Sequence, residues 1–378
     1  MFWVAIMVLP LIAASIDAVA GIRTRNRMYK FGEALVEDFR ILVPVWGRTE
    51  YLQNIAYLSQ YGSQVTLCTT SYETAAFYTE LEQIATLHYF QIFRDQLLRP
   101  KARKAHAHTQ RTTAGTIRDR LIRNVLPDVT EPYVVTLDAD TTTCEHMSLL
   151  VGELVRRELD IASIRLVLNN PQASLLTKLQ QFEYRLAMQI RFVAPWMLSG
   201  ACHVAKTAVL SDVMNRHSLF FQGNDVETGI IAKARGYRVG HIPFEVRTDV
   251  PADFTPWLRQ RLAWAGGEFR LFIINFQLIL KHPFFWIYGG VVVIAGCFFR
   301  WLALTEPSYS LITAMALYFS LALYLNWKIK RGWMLLMPLY TLVLSMVLTP
   351  LGLIWYFKMA ISGNNWGLIR PKRDTPVA

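Results

Sequence analysis

Tyr133-Val134-Val135-Thr136-Leu137-Asp138-Ala139-Asp140 is the stretch that decides how this chain folds. A short run of β-branched and aromatic residues that turns abruptly acidic reads as a buried strand ending in a turn. In an open α/β sheet, ligands collect beyond the carboxyl ends of the strands, so Asp138 and Asp140 stand where a ligand is expected. Two carboxylates one residue apart can hold a hard divalent cation, and such a cation neutralises a diphosphate leaving group. The same spacing also suits an ordinary turn, so the pair gains meaning from its place after the strand.

Outward from this strand, residues 38 to 255 alternate short β-rich runs with helical stretches, the pattern of an α/β domain with a mostly parallel sheet. Strands are expected near 39–45, 64–68, 88–93, 133–137, 161–167 and 237–242. Beyond residue 255 the character changes. Residues 256–281 mix Trp257, Leu258, Leu262 and a dense apolar stretch with Arg270, Asn275 and Gln277, which suits helices lying at a membrane interface. Residues 175–192 have the same mixture and fit either an interfacial helix or a core-facing amphipathic one.

The flanks are more apolar still. Residues 2–20 are long enough for one membrane helix. Ala18-Val19-Ala20 resembles a signal-peptide cleavage site, but no basic residue precedes the run and the arginines follow it, which favours a retained span. Residues 283–304 and 307–327 read as a membrane hairpin joined at Thr305-Glu306. The stretch 333–361 is too long for one straight span and is expected to break at Thr349-Pro350, with Gly352 beyond, as a broken or re-entrant hairpin. Basic residues cluster beside these runs (Arg23, Arg25, Arg27, Lys30; Lys328, Lys330, Arg331; Lys372, Arg373). That placement points to cytosolic flanks of an integral plasma- or inner-membrane protein with a cytosolic catalytic domain.

The chain of 378 residues, 53% of them hydrophobic, with a net charge of +11, has room for a soluble domain and several spans. Its mean hydropathy of +0.25 agrees. Because the positive charge lies beside apolar runs, a membrane lipid surface is the expected partner and nucleic acid is not. Cys68, Cys144, Cys202 and Cys297 are too scattered for a metal site and read as reduced structural thiols. The expected segments are a membrane helix with its basic flank (1–30), the α/β domain (31–255), interfacial helices (256–281), C-terminal membrane helices (282–362) and a cytosolic tail (363–378).

Two further stretches carry chemistry. Gly223-Asn224-Asp225-Val226-Glu227 reads as a helix N-terminus in which Asn224 or Asp225 caps. Asp225 also suits a general base, since an acceptor hydroxyl must lose a proton as it attacks an anomeric carbon. In Trp257-Leu258-Arg259-Gln260-Arg261-Leu262-Ala263-Trp264, arginines can meet phosphate and Trp264 can stack on a sugar face.

Taken in order, these sites resemble the membrane synthases of glycosyltransferase family 2, the group of hyaluronan synthase and rhizobial chitin-oligosaccharide synthase, over about Ile41 to Arg370. The resemblance implies a cytosolic GT-A, Rossmann-like domain with transmembrane and interfacial helices. It implies an inverting transfer from a UDP-sugar to a growing glycan acceptor, with Mg2+ or Mn2+ as cofactor and passage of the polymer across the membrane. Residue by residue, it assigns Asp225 as the catalytic base and Asp140 with Asp138 to the metal. It assigns Pro44, Arg103, Lys104, Asp138, Arg261 and Arg370 to the nucleotide, and Gly200, Ala201, Cys202, Gln260 and Trp264 to the acceptor. Three departures stand out. Ala263 replaces the family's arginine before Trp264, with Arg261, Arg259 or Arg370 as substitutes. The strand-two acidic residue that reads uracil is missing from Leu67-Cys68-Thr69-Thr70-Ser71. Trp366-Gly367-Leu368-Ile369-Arg370 has one residue too many. A non-processive enzyme acting on a lipid or polyprenyl phosphate, or an inactive scaffold, are the rival readings.

Overall fold

The computed structural model describes residues 31–95 (33 and 72 apart), 114–192, 194–219, 224–281, 332–336, 340 and 343–361, with single positions between 294 and 320. They form two compact units. One contains residues 31–169 and 195–249, and the other 170–194 and 250–359. Residues 170–194, inside the block expected to be one domain, thus group with the C-terminal part of the chain.

The first unit is built on a seven-stranded sheet: β1 (Phe39–Pro44), β2 (Val65–Thr70), β3 (Gln91–Asp95), β4 (Tyr133–Leu137), β5 (Ile161–Leu168), β6 (Cys202–Lys206) and β7 (Val239–Thr248), in the order β3-β2-β1-β4-β6-β5-β7. Strands β1, β2 and β4 are buried almost throughout, as strands covered on both faces must be. Helices α1 (Ala75–His88), α2 (Ala114–Val125) and α3 (Met147–Arg156) follow β2, β3 and β4 in the chain. The strand pairs β1–β2, β2–β3, β1–β4 and β5–β7 are parallel. Strand β6 is antiparallel to both β4 and β5, so the sheet is mixed. This strand was absent from the sequence expectation: Cys-His-Val-Ala-Lys is too short for its alternation to stand out.

Strand β7 runs six residues past the expected end at Ile242. Proline cannot donate to a sheet, so Pro243 inside a strand needs an explanation. Here β7 is an edge strand, and its pairing skips Pro243 and Phe244 between Ile164↔Ile242 and Arg165↔Glu245. The bulge takes up the proline.

In the second unit, α4 (Leu175–Ile190) precedes β6 in the chain, and α5 (Thr207–Arg216) and α6 (Asn224–Ala234) of the first unit come before α7 (Phe254–Ile274), α8 (Phe276–Leu280) and α9 (Thr349–Ile361). Leu179 and Phe182 of α4 pack with Trp257, Tyr340 and Leu348, so α4 has a core face. The expected break at Thr349-Pro350 does not occur. A π-helical turn at Leu344–Leu348 runs directly into α9, with Thr349 in right-handed helical conformation. A wide turn just ahead of Pro350 gives its ring room and loses no needed N–H. Gly352 is not a break either: a Cβ there would collide with Ala265 and the Gly266 amide, so its role is close packing of α9 on α7. Among the described residues, no helix is long and apolar enough to cross a membrane. The expected span at 2–20 lies outside the described residues, as do 283–304 and 307–327 apart from single positions.

In the first unit, α6 is seated by Gly229, whose Cα faces the carbonyl of Trp196 so closely that a Cβ would overlap it. Gly229→Ala should therefore push the helix off its seat and cost about 1–3 kcal/mol, as overpacking does. Thermal unfolding of the purified variant checks this, and an unchanged melting temperature would mean that the segment around Trp196 yields freely.

Candidate active site

The site begins where β4 ends. Thr141 N–H donates to the Asp138 carbonyl (3.1 Å), closing a turn around Asp138-Ala139-Asp140. Asn54, 1% exposed, holds that turn from behind: its Nδ2 donates to the carbonyls of Asp138 (3.0 Å) and Thr141 (2.7 Å). Gln53 N–H donates to the Ala139 carbonyl at 2.9 Å. The turn's backbone is thus fixed by the chain after β1, and its carboxylates are not needed to hold it. Asn54 was not anticipated, because a single asparagine over 80 positions away carries no local signal.

Asp140 accepts from the Thr141 hydroxyl at 3.1 Å. A two-way bridge between Thr142 and Arg247 (2.8 and 2.7 Å) brings the end of β7 alongside. It carries Thr248 and Asp249 to Asp140. Although the residue as a whole is exposed, protein crowding around the Asp140 carboxyl raises its pKa, and Asp249 adds to the rise against the Thr141 and Thr248 hydroxyls. Burial and a neighbouring carboxylate both disfavour negative charge on Asp140, and nearby positive charge would relieve that.

Asp138 lies on the other side of the turn. The antiparallel register of β4 and β6 pairs Leu137 with Cys202, and one step further Asp138 N–H donates to the Ala201 carbonyl at 2.9 Å. This brings Ser199-Gly200-Ala201 against Asp138. Burial pushes the Asp138 carboxyl up to about 7; Arg118 opposes that shift, while Asp140, Asp119 and Asp225 reinforce it.

Asp225, in the first turn of α6, accepts from the Gly200 N–H at 2.8 Å through Oδ2. Its carboxylate reaches across to the loop before β6, which is more than capping its own helix requires. On the same glycine lies Arg118 of α2: a Cβ on Gly200 would overlap the Arg118 Nη1. Arg118 Nε donates to Asp119 Oδ1 at 2.9 Å. Burial disfavours its charge, but Asp119, Asp138 and Asp225 together outweigh burial and raise its pKa. Nothing in the sequence around Thr116-Ile117-Arg118-Asp119 signals this role; it arises from packing. Below them, His203 Nδ1 shares a hydrogen bond with the Thr136 hydroxyl (2.8 Å), and burial, with Arg118 next, pushes its pKa down to about 4. It is a neutral imidazole.

Other expected site residues fall differently. Cys202 is wholly buried in β6, and burial raises its thiol pKa, so it does not line an acceptor surface as the resemblance implied; Gly200 and Ala201 are only partly buried. Pro44 is buried at the carboxyl end of β1. Arg103, Lys104 and Arg370 lie outside the described residues.

In the second unit, Arg261 is 3% exposed and donates to Glu183 Oε2 (2.8 Å), Gln180 Oε1 (3.2 Å) and Gln260 Oε1 (3.1 Å). Its guanidinium lies 4.2 Å from the centre of the Trp264 ring. Tyr340 also donates to Glu183 Oε2 (2.7 Å) and receives a bond from Trp257 Nε1 (3.2 Å). Arg261, expected to meet phosphate, is buried here against Glu183 and the Trp264 ring. Trp264 keeps 40% of its surface exposed.

Known proteins resemble this chain in sequence or in fold. An N-acetylglucosaminyltransferase of Azorhizobium caulinodans is 30% identical over 165 residues, covering 40% of this chain and 38% of that protein. One from Neorhizobium galegae is 26% identical over 164 residues, covering 39% and 38%. The chain thus spans less than half the length of these relatives. Among solved structures, a mannosyltransferase from Pyrobaculum calidifontis in complex with GDP-Man and Mn2+ superposes with a TM-score of 0.57 at 14% identity, covering 94% of this chain and 99% of that one. That likeness establishes a GT-A-like α/β fold with a mixed sheet. The pattern described as "Glycosyl transferase family group 2" matches residues 133–362, from the first residue of β4 to just beyond α9, and the chain belongs to that family.

Proposed function

We propose that the chain is an inverting glycosyltransferase that moves a sugar from a UDP-sugar to a glycan acceptor and extends it processively, passing the polymer across a membrane. The observation that carries this reading is the meeting of the Asp138-Ala139-Asp140 turn with Asp225, which is tethered to Gly200 beside it. The relatives' names make an N-acetylglucosamine donor the first to assay.

A divalent cation, Mg2+ or Mn2+, suits the β4 turn: Asp140 and Asp249 are hard oxygen donors on exposed residues, near enough for Asp249 to disfavour charge on Asp140. Among the described residues, no group of three or more His, Cys, Asp or Glu side chains forms a metal cage. Asp140, with Asp138 behind it, would hold the ion together with donor phosphate oxygens, as such sites commonly do for Mg2+. Bound there, the ion supplies the positive charge that a departing nucleoside diphosphate needs.

Asp225 accepts the proton of the acceptor hydroxyl as its oxygen attacks the anomeric carbon. The bond from that carbon to the phosphate oxygen breaks, and its electron pair leaves on the nucleotide. Attack from the opposite face inverts the configuration. Trp264, backed by Arg261, offers a ring face on which a sugar can stack.

Membrane attachment belongs to the same reading. Ile273, Phe276 and Leu280 are exposed at helical spacing along α7 and α8, and Leu351, Ile354 and Trp355 are exposed on α9. Such stripes suit a lipid interface.

Three outcomes are expected. Asp140→Asn, or excess chelator on the parent protein, should abolish UDP release; full activity in chelator would remove the cation from the mechanism. Asp225→Asn should lower turnover by about 10² or more with UDP-sugar binding unchanged. A near-normal rate would return Asp225 to helix capping, which asparagine performs equally well. The purified protein should float with phospholipid vesicles in a density gradient, and recovery in the dense fraction alone would overturn the membrane reading. Product size separates polymer synthesis from addition of one sugar to a lipid.

A further inference from the structure

Arg118 sits in the first unit with more charge around it than one ion pair requires. Its Nε bond to Asp119 already provides a counter-ion, and its side chain is 13% exposed. Asp119 is in turn held inside the unit: its Oδ2 lies 3.9 Å from His217 Nε2, which is 3.6 Å from Glu227 Oε2. Glu227 accepts from the backbone N–H (3.2 Å) and hydroxyl (2.9 Å) of Ser218. Glu227 is two residues beyond Asp225 on α6, so this buried chain ties α2, the end of α5 and the start of α6 together around Arg118.

From that anchorage the guanidinium extends to Gly200. It occupies the space that any side chain at position 200 would take, against the residue whose N–H holds Asp225. The charged groups that face it are Asp119 on α2, Asp138 after β4 and Asp225 on α6. Neutral His203 on β6 also lies near. A buried arginine used only as filler is a poor choice, since an apolar side chain of similar volume is often neutral or better for stability.

We propose that Arg118 is a positioning residue for transfer. By packing into the space left by Gly200, it fixes the amide that orients Asp225 and sets a positive charge beside that carboxylate, so it acts on the reaction through Asp225. This rests on the reading of Asp225 as the base.

The test uses the full-length protein, UDP release in the presence of acceptor, and UDP-sugar binding by calorimetry. Arg118→Met, which keeps volume without charge, should fold with a melting temperature close to the parent's and lose about tenfold to a hundredfold in turnover, the cost of a misplaced catalytic group. Arg118→Ala should lose as much and regain part of it in added guanidinium, which restoration of the fold alone would not explain. In the Asp225→Asn background, Arg118→Ala should cause no further loss, because two residues acting through one step are not additive. Near-parent turnover in a folded Arg118→Met, no recovery with guanidinium, or an undiminished loss in the Asp225→Asn background would each overturn the proposal. Asp225→Asn alone judges the base: if it keeps the parent rate, that reading fails by itself, whatever Arg118 does.

Discussion

The site depends on the antiparallel pairing of β6 with β4. In a sheet whose pairs are parallel except for the two that β6 makes, this inserted strand is what brings a later part of the chain to the carboxyl end of β4, in the register Leu137↔Cys202 and Asp138↔Ala201. A slip of one residue would turn every side chain of β6 to the opposite face. It would also remove Gly200 from beside Asp138, and with it the amide that holds Asp225. The register is firmly set because β6 is buried on both faces, with Cys202, Val204 and Ala205 without exposure and His203 bonded to Thr136 beneath the site.

What was legible in the sequence is what is local. Tyr133–Leu137 and the acidic turn after it lie within eight residues, so strand, exit and carboxylates were readable together. Asp225 was readable as the start of a helix, but its bond to Gly200 spans 25 positions and belongs to the tertiary fold. Asn54 reaches the Asp138 carbonyl across 84 positions, and Arg118 meets Gly200 across a similar gap in kind. Pro350 was read as a break, but a π turn just ahead of it absorbs the ring, as a bulge on an edge strand absorbs Pro243, and neither device has a clear sequence signature.

The second unit makes a comparable point about Arg261. Read as a sequence, an arginine three residues before Trp264 looks available for phosphate. In the fold it is buried with Glu183 and lies under the tryptophan ring, so its charge is spent on orientation. A guanidinium beneath an indole is held by the ring's quadrupole as well as by its carboxylate, and that fixes a side chain whose other face stays exposed. Arg261, expected as one stand-in for an arginine at Ala263, is thus paired with Glu183.

That leaves the balance of charge in the first unit. Asp138, Asp140 and Asp225 crowd one end of the sheet with Asp119 and Asp249 nearby, and Arg118 is a cation set against Asp119, Asp138 and Asp225. Even with Arg118 present, burial, reinforced by these carboxylates, pushes the Asp138 carboxyl up to about 7. Carboxylates that repel one another cannot all remain ionised without added positive charge. Arg118 meets that demand on the Asp225 side, where Gly200 gives it room. The two sides of the turn therefore differ: Asp138 lies with Asp225 around a buried guanidinium, whereas Asp140 lies beside Asp249 on exposed residues.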